Sequence, residues 1–146
     1  MLRFFKLLKD RLVKSFARDK SVEPRLEAFS RFIWPWPELR LVYIVCCLAV
    51  LDYVSTYAGL ELSGKTHIYE RGRIAGWALR IWGFKGLFLA DLAIIGAILL
   101  VAFSARFFYT KIGFKGLGRT AFVVMLLPYA MITTGVVLSN IVIALL

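Results

Sequence analysis

Asp52, Ser55 and Thr56 stand at i, i+3 and i+4 inside an otherwise apolar run, Leu41–Leu60 (LVYIVCCLAVLDYVSTYAGL), with Gly59 at i+7. On an α-helix that spacing gathers an acid, two hydroxyls and a glycine on one stripe. Two kinds of chemistry use such an acid: a carboxylate that titrates during transport, or an acceptor that holds helices together where water is absent. Placing an aspartate at the centre of a membrane helix costs roughly 2.5–3.5 kcal/mol, so Asp52 is expected to face protein or water and to have a partner. Asp91, Tyr129, Thr133 and Asn140 lie in two further apolar runs and complete an expected intramembrane polar site. Arg73, Arg80 and Lys85, between the first two runs, are the candidate counter-charges. An arginine suits a buried carboxylate through its two-pronged geometry.

Other chemistries find no support. The sequence has no nucleophile–base pair, phosphate loop, haem ligand set or metal cluster, so no catalytic residue, cofactor site or metal site is expected and the reading leans away from an enzyme. An enzyme acting on lipid would have to draft His67, Glu70 and the loop arginines. His67 is the single histidine and has no second ligand at useful spacing, so it reads as a solvated loop residue. Cys46 and Cys47 are adjacent in the first run, where neighbouring side chains of a helix diverge; they read as small apolar residues, not as a disulfide or a metal pair.

The elements that must position these residues are membrane helices. Of the 146 residues 60% are hydrophobic and mean hydropathy is +0.76, well above soluble domains. Leu41–Leu60, Leu87–Phe107 and Ala121–Leu146 are each long enough, at about 1.5 Å per residue, to cross a hydrocarbon core of roughly 30 Å. The expected fold is therefore an all-α membrane protein with three transmembrane helices. Residues 1–40 form an arm on the cytoplasmic face with a Trp-Pro hinge, and 41–146 form the transmembrane domain. No removable leader is expected, because Lys9, Asp10, Arg11 and Lys14 interrupt the start before an apolar core develops.

The net charge of +10 is distributed around the spans, where lipid headgroups lie, so anionic lipids and not nucleic acid are the expected partner of the basic residues. Ten Lys/Arg precede the first span and four surround the second loop, including Arg106, against five in the first loop and none at the C-terminus. That bias predicts a cytoplasmic N-terminus and second loop, with the first loop and C-terminus outside.

Met1–Arg18 places Phe4, Phe5, Leu8, Leu12 and Phe16 on one helical arc opposite Arg3, Lys6, Asp10, Lys14 and Arg18, the pattern of an amphipathic helix lying in the interface or packed on a partner subunit. A second short helix is predicted over Glu23–Phe32, stopped by Trp34-Pro35-Trp36-Pro37. In the first loop, Ile74, Trp77, Ala78 and Ile81 predict a short interfacial or shallow re-entrant helix. Ala90, Ala93, Ala97 and Ser104 make a small-residue stripe nearly opposite Asp91; covering both faces calls for other subunits or self-association. In the third span Tyr129, Thr133, Val136, Asn140 and Ala144 share a predicted face, and Pro128 predicts a kink. Gly83-Phe84-Lys85-Gly86-Leu87 recurs letter for letter as Gly113-Phe114-Lys115-Gly116-Leu117, each copy at the start of a span, and reads as a local start device.

The Asp52-x-x-Ser55-Thr56 stripe, with Lys85 ahead of the second span and Asn140 in a polar third span, resembles an uncharacterised prokaryotic family of small integral membrane proteins with an Asp-x-x-Ser/Thr-Thr motif in the first span. The resemblance covers Leu41 to Leu146. That family continues with Glu-x-Asn-Pro, where this chain has Glu70-Arg71-Gly72-Arg73. The resemblance implies a multi-pass protein of the prokaryotic inner, cytoplasmic membrane and no particular activity.

These readings predict a non-catalytic accessory or structural subunit of a larger membrane complex, acting through helix packing and lipid contacts and partnered by other integral membrane subunits or by its own copies. Bound phospholipid is the one ligand the pattern suggests. The alternative is a small proton-linked transporter or channel component in which Asp52 titrates and Thr56, Tyr129 and Asn140 line the path.

Overall fold

The computed structural model describes residues 22–62 and 73–145, all helices and their connections, with no strand among the described residues. Met1–Arg18, His67 and Glu70 lie outside them. Helix α1 spans Val22–Ile33, α2 spans Glu38–Tyr57 and runs into a π-helical turn at Ala58–Leu62, α3 spans Arg73–Lys111, and α4 spans Lys115–Leu145. Three helices are long and apolar enough to cross a membrane: Glu38–Glu61, Gly76–Lys111 and Lys115–Ile143. Each is longer than its purely apolar run, the helix continuing through charged residues at one or both ends, Glu38 and Arg40 in the first, Arg80, Lys85 and Lys111 in the second and Lys115 and Arg119 in the third.

Few residues of these spans are buried within the chain: 11%, 22% and 33% of the most apolar stretch of each. Leu100, Met131 and Ile132 are exposed, whereas Ser55 and Thr133 are buried at 8% and 5% exposure. Apolar side chains thus cover the outside of the spans as well as most of their interior, the pattern of helices whose outer faces meet lipid.

The chain forms two compact units, each discontinuous in sequence. The first joins α1 and the Trp-Pro connector, up to Glu38, with Val101–Met125, the end of α3 and the start of α4. Pro24 in its first turn, Glu23 near its positive end and Arg31 near its negative end suit α1 to a helix. Pro35 and Pro37 end it. The two-proline connector leaves carbonyls without helical donors, and Arg119 supplies them: its Nη2 donates to the Trp34 carbonyl at 2.9 Å and the Trp36 carbonyl at 3.1 Å. Trp34 itself is buried and its indole N–H donates to the Pro37 carbonyl, so only Trp36 stays at the surface. Arg106 pairs with Glu38 at 3.0 Å and also donates to the Lys115 carbonyl, tying the start of α2 to the turn between α3 and α4.

The second unit joins Leu39–Leu100 with Leu126–Leu146. The buried stripe of α2 is Leu41, Val45, Ala49 and Ser55, with Asp52 half-buried in the same row. From α4 come Leu126, Ala130, Thr133 and Val137, and from α3 Leu87 and Ile95. Edge-to-face ring pairs Tyr53–Phe88 and Tyr57–Phe84, with centroids 5.5 and 4.8 Å apart, join α2 to α3. The inward face of α4 is turned slightly from the predicted one: Val137 is buried and Val136 exposed, because Ala130 and Val137 and not Tyr129 and Val136 centre the stripe.

The repeated pentapeptide is a geometric device in both places. Among the described residues Gly83 and Gly113 are the glycines with positive φ, 63° and 93°, a conformation that side chains disfavour. Gly83 breaks α3 into a short helix, residues 73–82, and the second span, so the predicted loop helix exists and is joined to the span through this kink. The second glycine of each copy permits a close approach. A Cβ on Gly86 would lie 2.5 Å from the Ala78 carbonyl oxygen, and one on Gly116 2.7 Å from that of Glu23. Each copy thus turns the chain and then lets a short helix rest on the first turn of a span.

Candidate functional site

The polar site is assembled within the second unit. From α2, Asp52 and Thr56 project half-buried and Ser55 is buried, the register following directly from the i, i+3, i+4 spacing. Asn140, near the end of α4, faces them. Its side-chain amide nitrogen lies 3.1 Å from Thr56 Oγ1, 3.2 Å from Ser55 Oγ and 3.4 Å from Asp52 Oδ1. An amide nitrogen carries two hydrogens, so three acceptors share two donors and at least one hydrogen serves two of them. The Ser55 hydroxyl donates to the Asp52 backbone carbonyl at 3.0 Å, which orients its lone pairs toward Asn140.

Tyr129 is half-buried beside Thr133, and both Asp52 and Asp91 are near enough to act on its hydroxyl electrostatically. Asp91 is half-buried on the α3 face that also buries Leu87 and Ile95. Three spans therefore contribute to one neighbourhood: Asp52, Ser55 and Thr56, then Asp91, then Tyr129, Thr133 and Asn140. Thr134, one residue along, faces outward and its hydroxyl returns to the Ala130 carbonyl at 2.7 Å, so it takes no part.

Of the candidate counter-charges, the structure describes two side chains. Arg80 and Lys85 are exposed, and the Arg73 side chain lies outside what the structure describes. No group of three or more His, Cys, Asp or Glu side chains among the described residues is arranged to hold a metal ion. Cys46 and Cys47 are free and exposed on the apolar surface of α2.

Residues that the sequence reading passed over organise the first unit. The Glu23 carboxylate accepts from the backbone N–H of Gly116 and, at 3.2 Å, of Leu117, capping the first turn of α4 from another helix. These N–H groups have no partner within their own helix and carry its positive end, so a carboxylate satisfies both demands. The Thr120 hydroxyl, buried, lies 2.8 Å from the Leu26 carbonyl and 2.9 Å from that of Gly116, one proton serving two acceptors. The available signal was charge placement: Glu38 opens one span and Arg106 nears the close of the next.

Compared with known proteins, the chain matches no family profile, no curated protein and no solved structure.

Proposed function

We propose that this multi-pass membrane protein is a non-catalytic structural subunit of a larger membrane assembly, with the Asp52 site as its internal latch. The observation that carries the reading is the single Asn140 amide reaching Asp52, Ser55 and Thr56 at 3.1–3.4 Å. The polar atoms of the first span are engaged by the third and given a bonding role, so no further chemistry is needed to account for them. The Ala93, Ala97 and Ser104 stripe of α3 is exposed, a face on which another helix can approach closely. The N-terminus and second loop are assigned to the cytoplasm from the distribution of Lys and Arg, and the prokaryotic inner membrane follows from the family resemblance. Mild detergent extraction from the native membrane, followed by sizing and identification of bound chains, tests the proposal. Co-purifying integral membrane proteins or a defined homo-oligomer support it; a monomer carrying lipid alone contradicts it.

One observation favours a second reading. Asp52 and Asp91 both act electrostatically on Tyr129, and acids within membrane spans are the usual equipment of proton-linked carriers. In that reading Asp52 titrates during transport, and Asp52→Asn abolishes flux while the protein stays folded.

A further inference from the structure

We propose that α1 is an in-plane membrane helix whose Phe29–Phe32 face is seated in the headgroup and upper acyl layer of the leaflet at which α4 begins. Successive residues of a helix are turned by about 100°, which divides α1 into three arcs. Glu23, Leu26 and Ser30 face the start of α4: Glu23 caps Gly116 and Leu117, Leu26 accepts from Thr120, and Ser30 is buried. Glu27 and Arg31 form the second arc, an exposed i, i+4 ion pair at 2.9 Å, as expected of a side toward water. Val22, Arg25, Phe29 and Phe32 form the third. They are exposed, Phe29 at 49% and Phe32 at 86%.

The depth of α1 identifies what meets that third arc. Its middle is bonded through Leu26 to Thr120, the residue immediately before the uninterrupted apolar run that opens at Ala121. Its C-terminal end passes through Trp34–Pro37 directly into α2 at Glu38. Both attachments are to the ends of membrane spans, so the helix, about 18 Å long, lies along the hydrocarbon boundary and cannot lift its aromatic arc into water while they hold. The arc carries a cation, Arg25, and no acid, which suits phosphate-bearing lipid; Trp36, half-exposed, continues the aromatic surface.

The test uses the full chain with Cys46→Ser and Cys47→Ser, carrying a nitrobenzoxadiazole label at Phe32→Cys, Phe29→Cys or Arg31→Cys. Each is reconstituted alone in vesicles of equal parts phosphatidylcholine and phosphatidylglycerol. At positions 29 and 32 the emission is expected to be blue-shifted and quenched several-fold more by lipid spin-labelled high on the acyl chain than by aqueous iodide. At position 31, one residue along, iodide is expected to dominate. Iodide quenching at 29 and 32 equal to that at 31 overturns the proposal. So does shielding of 29 and 32 from both quenchers, which marks a protein contact on that face.

Discussion

Replacing Asn140 by Ala removes the one amide that bridges α4 to Asp52, Ser55 and Thr56. Its two hydrogens are shared among the three acceptors, and hydrogen bonds between membrane helices are worth about 0.6 kcal/mol on average and up to roughly 1.7. The expected loss of stability is therefore about 1–2 kcal/mol, divided between Thr56 and the Ser55–Asp52 pair. A double-mutant cycle isolates one arm: Asn140→Ala, Thr56→Val and both together, unfolded in mixed micelles of increasing dodecyl sulfate and followed by circular dichroism. A coupling of about 0.5–1.5 kcal/mol is expected for a direct 3.1 Å bond. Ser139→Ala, at an exposed neighbouring position, should stay within about 0.5 kcal/mol of the parent protein. Additivity of Asn140→Ala and Thr56→Val within about 0.3 kcal/mol would refute the latch.

Glu23→Ala strips the cap from α4 and should cost about 1 kcal/mol in the same assay, with Glu23→Gln recovering part of it because an amide oxygen still accepts from Gly116 and Leu117. Gly116→Ala and Gly86→Ala each push a methyl group against a backbone carbonyl and should cost about 1–3 kcal/mol, read as a lower unfolding midpoint. Gly113→Ala should cost about 1–2 kcal/mol for a different reason, its φ of 93°, since nothing crowds its Cβ. Glu38→Gln should change stability by less than about 1 kcal/mol, because its pair with Arg106 is partly solvated.

Much of this architecture was legible before the coordinates. The three spans follow from the length of apolar runs, and the short helix before the Trp-Pro connector from Pro24, the apolar spacing and the prolines that stop it. The Asp52, Ser55 and Thr56 stripe was fixed by helical periodicity, which also put Asn140 at a similar depth. Register within a uniformly apolar helix was harder: Val136 and Val137 are chemically identical, and only tertiary packing decides which is buried. The contacts of the first unit were harder still, since Glu23 and Gly116 are joined through space by a backbone cap that leaves no periodic trace. The glycine repeat announced a device without its purpose, which lies in how closely Ala78 and Glu23 approach Gly86 and Gly116.

The most direct test of the latch is Asp52→Asn in proteoliposomes, with unfolding free energy and pH-gradient-driven proton flux measured on the same preparation. An asparagine oxygen still accepts from Asn140, so a structural latch predicts stability within about 1 kcal/mol of the parent and flux through both proteins no greater than through empty vesicles. Proton flux through the parent protein that disappears in Asp52→Asn, with folding intact, would contradict the account and establish the carboxylate as the working group of a carrier.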